Sequence, residues 1–472
     1  MSLLTGLASA VAPEPLTRVQ QMCGVTDAAA ITDAQRACIA DAALAGDSIW
    51  VVIIKAVIIL LFLLLSVLFA VWFERRVIGR LQQRPGPNTV GPLGLLQSVA
   101  DAMKLVFKED VTVRAADKVL YIAAPMISVF CALLVFVVIP FGPETRIPFT
   151  DEITPLQLTD FPTAVLFILA VAALGVYGIV LGGWASGSTY PLMGAVRSTA
   201  QVISYELAMG LALVTVFMLS GTMSTGGIVD AQESRWWIWP LFPAFILYVI
   251  SMVGETNRLP FDLPEAEGEL VAGFMTEYSS TKFAWFFLAE YMNMINVSAV
   301  AATLFMGGWR APWPDSWAGS EVLNSGIFPP IWLILKIWLL MFVFVWIRGS
   351  LLRFRYDQFM RFGWKVLITA GLSWLAFFAI GRELFIAWGR DVNMYDAVAG
   401  AVGILLVFAV WSFISDSKSK DEPEPEPEGP VEIDPFADGY PVPPMPGQVL
   451  PPSPRAGRTV EAQMAAKEGD DD

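Results

Sequence analysis

The chain has 472 residues, of which 56% are hydrophobic and only 16% are charged. Soluble domains run near roughly 45–50% apolar and about 25% charged, so a soluble globular enzyme is excluded and lipid is the implied solvent. There is no histidine and there are three cysteines. That excludes His-ligated haem, His-based metal sites and any iron–sulfur or zinc centre held within this chain alone. The net charge of −14 and the lack of a basic patch exclude nucleic acid as a partner.

Residues 1–48 precede the first apolar run and contain Cys23 and Cys38. Leu16–Val25 and Asp33–Leu44 read as two short helical pieces around a Thr26–Thr32 linker. Folded back on each other they bring the two sulfurs together, and an extracytoplasmic compartment permits the bridge. Two small apolar thiols packed at the membrane rim are the alternative. Cys131 falls inside an apolar run and reads as an inert core residue.

Nine apolar runs follow: approximately Trp50–Trp72, Val119–Pro140, Phe161–Trp184, Gln201–Ser220, Trp237–Val253, Phe283–Met306, Pro329–Trp346, Trp364–Ile380 and Ala397–Ile414. A hydrocarbon core of about 30 Å takes about 20 residues of helix, and helices satisfy their own backbone in lipid. The expectation is an all-α, polytopic membrane helix bundle of nine spans occupying residues 49–415. The first run lies too far from Met1, and is too long, for a cleaved signal peptide. Loops after the first, third, fifth and seventh runs hold most of the loop Lys and Arg. The positive-inside rule places them in the cytoplasm, with the N-terminus outside and the C-terminus inside. Residues 416–472 carry 14 Asp and Glu against 5 Lys and Arg, with 12 of the 32 prolines. Such a segment cannot bury a core and reads as a disordered cytoplasmic tail.

Two long loops carry most of the chemistry. The first, Glu74–Lys118, opens Glu-Arg-Arg and passes through Arg84-Pro85-Gly86-Pro87-Asn88, a rigid turn. Leu96, Val99, Met103 and Val106 then recur at helical spacing, opposite Gln97, Asp101, Lys104 and Lys108, as in an amphipathic helix lying in the membrane interface. The second, Gly254–Lys282, reads Glu255-Thr-Asn-Arg258-Leu-Pro-Phe261-Asp262-Leu-Pro-Glu265-Ala-Glu267-Gly-Glu269. From Glu255 to Glu290 there are seven carboxylates against Arg258 and Lys282. Asp262 and Glu265 have the spacing of a helix capping box, which accounts for some of these acids but not for seven. Carboxylates beside a span usually serve an ion or proton pathway. Glu206, one turn into the fourth span, can join Glu255, Glu277 and Glu290 in a buried acidic chain. Lys336, deep in the seventh span, is the expected positive partner. Without histidine, any proton path must use carboxylates, Lys336, tyrosines and water.

At these residues the chain resembles the family of the H-type membrane subunit of bacterial respiratory complex I, the NADH:quinone oxidoreductase, homologous to mitochondrial subunit one. The likeness rests on Glu74-Arg-Arg…Arg84-Pro-Gly-Pro-Asn…Gln97-Ser-Val-Ala-Asp-Ala-Met-Lys104 and on the Glu255–Glu267 signature. It is supported by Gly183-Trp-Ala-Ser…Gln201…Ser204-Tyr-Glu206 and by Trp346-Ile-Arg348…Arg353-Phe-Arg355-Tyr-Asp-Gln358. It spans roughly residues 50–386.

The resemblance implies eight core helices and the inner part of a quinone chamber, framed by the first helix, the interfacial helix and the sixth helix. It implies an acidic path through Glu206, Glu255, Glu277 and Glu290, with Asp262, Glu265, Glu267 and Glu269 at the chamber end. Arg76, Arg84, Arg258 and Phe261 would then meet the quinone. It also implies proton translocation, no metal, flavin or iron–sulfur cluster in this chain, and location in a bacterial plasma membrane. The expected partners are other membrane-arm subunits and the quinone-site subunits of the peripheral arm. Gly187, Ser188 and Thr189 depart from the family's usual lysine-bearing motif. The ninth run, the tail and most of the first 48 residues are additions, and the Pro/Glu tail resembles those of high-GC Gram-positive bacteria, favouring menaquinone over ubiquinone. The ion-coupling membrane subunit of an energy-converting hydrogenase is the alternative, against which the intact Pro-Gly-Pro-Asn region speaks. A secondary transporter would show repeated halves, which are absent.

Overall fold

The computed structural model describes residues 47–146, 153–233, 235–262, 272–312 and 323–387. The chain divides into two units, 1–401 and 402–472, and everything below concerns the first. The N-terminal segment with Cys23 and Cys38, the ninth apolar run and the acidic tail lie outside the described residues.

Among the described residues the architecture is helical apart from one pair of short antiparallel strands. Helix α1, Ile49–Leu81, has 33 residues and so spans about 50 Å, well beyond the hydrocarbon thickness. Its last turns carry Arg75, Arg76 and Arg80 past the lipid. The turn that follows folds back on them: Gly86 has φ +56°, and a Cβ there would sit 3.1 Å from the Arg76 Cα. Helix α2, Gln97–Phe107, is the expected interfacial helix. Val99, Met103, Val106 and Phe107 are exposed on it while Ser98 is buried, so its apolar stripe faces outward as an interfacial helix requires.

Helix α3, Lys118–Val135, starts where the Asp117 side chain accepts from the amides of Val119 and Leu120, a side-chain N-cap. A 3₁₀ turn, Phe136–Val138, prolongs it. Strands β1, Glu144–Arg146, and β2, Ile153–Pro155, pair antiparallel. Next come α4, Ala164–Ala185; α5, Thr189–Ser220; and the short α6, Thr225–Ala231. Helix α7, Phe242–Glu255, has only 14 residues, because the first residues of the expected Trp237–Val253 run form turns. Helix α8 covers Ser280–Phe305 and is buried on every side from Met294 to Phe305. Helix α9, Phe328–Ser350, is followed by α10, Tyr356–Arg361, a π turn at Phe362–Leu367 and α11, Ile368–Ala387.

Among the described residues six helices are long and apolar enough to cross a membrane: α1, α3 with its 3₁₀ extension, α4, α5, α9 and the α10–α11 stretch. With α7 and α8 these occupy all eight of the first eight apolar runs. Connections after the odd-numbered runs meet one another at one end of the bundle. There the amide of Asp117 bonds the Ala185 carbonyl and that of Phe354 bonds the Pro260 carbonyl. Those after the even-numbered runs meet at the other end, where Gln157 and Thr225 both donate to the Val138 carbonyl and the amide of Ile238 bonds the Phe305 carbonyl.

Five helices close into a ring. Helix α3 packs on α4, α4 on α5, α5 on α7, α7 on α8 and α8 on α3, while α1 and α9 pack outside on α8. The ring encloses a cavity of about 90 Å³ lined from all five helices, large enough for several waters.

Candidate functional site

The segment after α7 is held by one buried amide. Gln201 on α5 donates from Nε2 to the carbonyls of Gly254 at 2.7 Å and Phe261 at 2.8 Å. Tyr205 lies against Gly254, where a Cβ would come within 2.3 Å of its ring. Arg353 donates to the Asp262 carbonyl from the far side. Backbone polar groups away from water need such partners, and here they fix the acidic loop's first eight residues against α5 and the α9–α10 connection.

The segment so held delivers Arg258 into a buried charge cluster. Its Nε lies 3.0 Å from Glu290 Oε1 on α8, and its Nη1 is 4.0 Å from Glu74 Oε1 on α1. Arg348 on α9 also pairs with Glu74. The Tyr291 hydroxyl donates to Glu74 Oε2 at 2.6 Å, and the Arg258 guanidinium stands 4.3 Å over the Tyr291 ring. Glu74 is only 4% exposed and Arg258 6%. Charges so far from water persist only when paired and hydrogen-bonded. The cluster therefore ties together α1, the acidic loop, α8 and α9, with one guanidinium shared by two carboxylates.

Glu290 also faces the ring's cavity. Glu255, Asp262, Asn257 and Thr256 line the same cavity near the loop, and Asn293, Asn296, Tyr248 and Ser128 line it further along. Glu206 on α5 lies close enough to Glu255 for their charges to interact. One end of the cavity thus collects three of the carboxylates singled out in the sequence, Glu255, Asp262 and Glu290, with Glu206 nearby, while its walls are otherwise apolar or neutral.

The family model described as NADH dehydrogenase matches residues 54–379, from early in α1 to α11. A protein of Streptomyces avermitilis, named as the H subunit of an NADH-quinone oxidoreductase, is 50% identical over 430 residues, covering 90% of this chain and 93% of the relative. The chain belongs to the NADH dehydrogenase family. That alignment is longer than the family-model match, so part of the sequence flanking the family core is shared with the Streptomyces protein.

Within this NADH dehydrogenase family member the other candidate residues are dispersed. Arg76 and Arg84 line a separate open hollow of about 370 Å³ with Arg80, Gln83, Pro85 and Asn88. Arg76 donates to the Leu93 carbonyl at 2.7 Å and stands over Trp72. Phe261 is not on an open surface. It is 7% exposed and packed among Tyr205, Phe354, Phe359 and Phe362, so it anchors the loop. The Glu277 carbonyl accepts from the Tyr121 hydroxyl, and Glu277 does not line the cavity. Glu265, Glu267 and Glu269 lie outside the described residues.

Lys336 is not brought to the acidic cluster. Its Nζ donates to the carbonyls of Met306 at 2.6 Å, Gly308 at 2.8 Å and Arg310 at 2.6 Å, under the Trp236 ring at 4.2 Å. Those carbonyls follow the end of α8 remote from Glu290, about 22 Å along its axis. The expected partnership with the acidic chain gives way to a backbone cage, because the α8–α9 connection turns three carbonyls onto one buried ammonium.

Sequence reasoning passes over Glu74, Tyr291, Arg348 and Gln201. Glu74 reads as the polar exit of the first span, although its neighbours Arg75 and Arg76 are the ones that leave the bundle. Arg348 and Gln201 stand inside the family motifs, and their depth in or beside apolar runs is the signal that marks them as buried.

Proposed function

We propose that this chain is the quinone-site membrane subunit of a proton-translocating NADH:quinone oxidoreductase, an enzyme whose redox centres lie in other subunits and not in this chain. The observation that carries the reading is the shared guanidinium of Arg258. It joins Glu74, on the helix that leads to the basic turn, to Glu290, on the wall of the acid-lined cavity. The name of the Streptomyces relative, a quinone oxidoreductase subunit, supports the same reading over a hydrogenase subunit.

Charge appearing on a reduced quinone near the basic turn would draw on Arg258. Any shift of that guanidinium from Glu290 toward Glu74 would leave the Glu290 carboxylate less compensated in a site of low dielectric, where a lone charge is costly. Glu290 would then take a proton from the cavity, and Asp262, Glu255 and Glu206 would relay the change. Glu265, Glu267 and Glu269 belong to this path on the resemblance alone. Arg76 and Arg84 face the quinone headgroup or the docked peripheral arm, and the odd-numbered loops are cytoplasmic. Menaquinone is the favoured substrate from the resemblance of the tail. The partners are neighbouring membrane-arm subunits and the peripheral-arm subunits that supply electrons.

Replacing Glu255 with Gln tests this. The assembled enzyme should lose quinone reductase activity and keep NADH oxidation by an artificial acceptor that bypasses the membrane arm. Wild-type quinone reduction and proton pumping in an assembled Glu255→Gln enzyme would sink the reading.

A further inference from the structure

The interfacial helix and the downstream end of the acidic loop are far apart in sequence, yet they are bonded together residue by residue. The Ser279 hydroxyl accepts from the Val111 amide at 2.9 Å and lies 3.3 Å from the Val111 carbonyl, to which it donates. The Ser280 hydroxyl lies 3.0 Å from the Leu105 carbonyl and 2.8 Å from the Lys108 carbonyl. Those two are end-of-helix carbonyls of α2, which have no partner within the helix. Lys282 pairs with Asp110 at 2.9 Å, and its ammonium stands 4.9 Å over the Tyr121 ring. Tyr121 stacks on Tyr278 with centroids 4.2 Å apart and donates to the Glu277 carbonyl. Tyr278 in turn donates to the Gly182 carbonyl at 3.2 Å.

Ser280 makes its contacts from a backbone conformation that non-glycine residues seldom adopt, with φ +55°, and it is 3% exposed. Only a structure that over-determines the residue holds it there. A serine whose sole task was to start α8 would need neither that conformation nor two carbonyls of another helix. The rest of α2 turns its apolar side outward, so these bonds fix how it sits against α8.

We propose that Ser279, Ser280 and Lys282 are positioning residues that latch the interfacial helix to the downstream end of the acidic loop, so that the two move as one body. The consequence for quinone, that displacing the loop displaces the access path beside α2, rests on the function proposed above.

The test uses the assembled, membrane-embedded complex and has one readout independent of quinone. In Ser280→Ala, amide hydrogen exchange should speed up several-fold in the peptides covering both 97–111 and 272–282. Asp110→Asn and Lys282→Gln should each give part of that acceleration, and the double variant little more than either, because one pair is broken once. The apparent KM for a long-tailed quinone should rise several-fold in Ser280→Ala, with kcat for a short-tailed quinone little changed. If exchange is unchanged in Ser280→Ala, or rises on one side only, there is no latch. Should Ser280→Ala fail to assemble, the Asp110/Lys282 series decides alone, and wild-type exchange in both single variants overturns the proposal. A faster exchange with an unaltered KM keeps the latch and instead refutes the reading that α2 borders the quinone.

Discussion

Arg258 and Lys336 are both buried cations, one beside the middle of α8 and the other beside the segment that follows its last residue, and they are held in opposite ways. Arg258 lies between two carboxylates on different helices, Glu74 and Glu290. Lys336 lies among three backbone carbonyls of one connection. A cation shared between two ionisable partners can change its allegiance when charge nearby changes. A cation in a cage of neutral dipoles has nowhere else to go, and its bonds serve to close the ring's far end. On the proposed function, the identity of a buried charge's partners, and not burial alone, decides whether it acts.

The sharpest way to break this comparison is to remove the shared cation. Arg258→Met leaves Glu74 and Glu290 buried without their common partner, a kind of change that costs about 3–5 kcal/mol. The expected outcome is an enzyme that assembles poorly and, where assembled, loses quinone reductase activity by roughly a hundredfold or more. Arg258→Lys should not rescue it, since an ammonium is a point charge and cannot offer Nε to one acid and Nη1 to the other. Wild-type turnover in an assembled Arg258→Lys enzyme would mean that charge suffices and that the sharing geometry is incidental.

Lys336→Met tests the other half. It keeps the volume and removes three donors, leaving carbonyls of Met306, Gly308 and Arg310 unsatisfied, at a cost of about 1–3 kcal/mol. Thermal inactivation should come at a lower temperature, while turnover per assembled complex stays near wild type. Loss of proton pumping at normal assembly would return Lys336 to the acidic path and erase the distinction between the two cations.

Much of the architecture is legible in the sequence because lipid imposes a simple rule. Twenty apolar residues must be a span, and the eight described runs are helices. The amphipathic helix and the acidic loop are legible for the same reason, since their polar patterns break that rule in an ordered way. What the one-dimensional pattern does not carry is the direction in which a polar residue near a helix end points. Glu74 and Arg75 are neighbours, yet Glu74 turns into the bundle while Arg75 pairs with Asp101 on α2. Phe261 reads as a ligand contact beside Arg258, but residues of a tight loop face opposite ways, and it falls into the aromatic nest. Lys336 is read by its depth in a span, whereas its partners are set by a connection about thirty residues earlier.

The same contrast extends, with a smaller effect, to an acid at the end of the bundle away from Arg258. Asp160 precedes α4 and accepts from the Ser224 hydroxyl at 2.6 Å and the Gly226 amide at 3.1 Å, holding the start of α6 from another segment. These partners are neutral. Burial raises the Asp160 pKa above its ordinary value of 3.8, and the hydrogen bonds from Ser224, Gly226, Phe161 and Thr225 offset only part of that. The folded chain therefore holds this proton more tightly than the unfolded chain does. By linkage, stability from this group is fully present below the ordinary carboxylate value and declines as pH rises to the raised folded value. Asp160→Asn keeps an acceptor for Gly226 and cannot ionise, so its thermal inactivation should lose that part of the pH slope and should equal or exceed wild type at neutral pH. Asp160→Ala removes the acceptor as well and should lie about 1 kcal/mol below Asp160→Asn at every pH, the usual loss for a helix cap. Inactivation temperatures of the three enzymes, from about pH 4 to about pH 8, decide the matter. If instead wild type gains on Asp160→Asn as pH rises and lies above it at neutral pH, the ionised carboxylate is itself stabilising, and Asp160 belongs with the paired acids around Arg258 rather than with the neutral cage around Lys336.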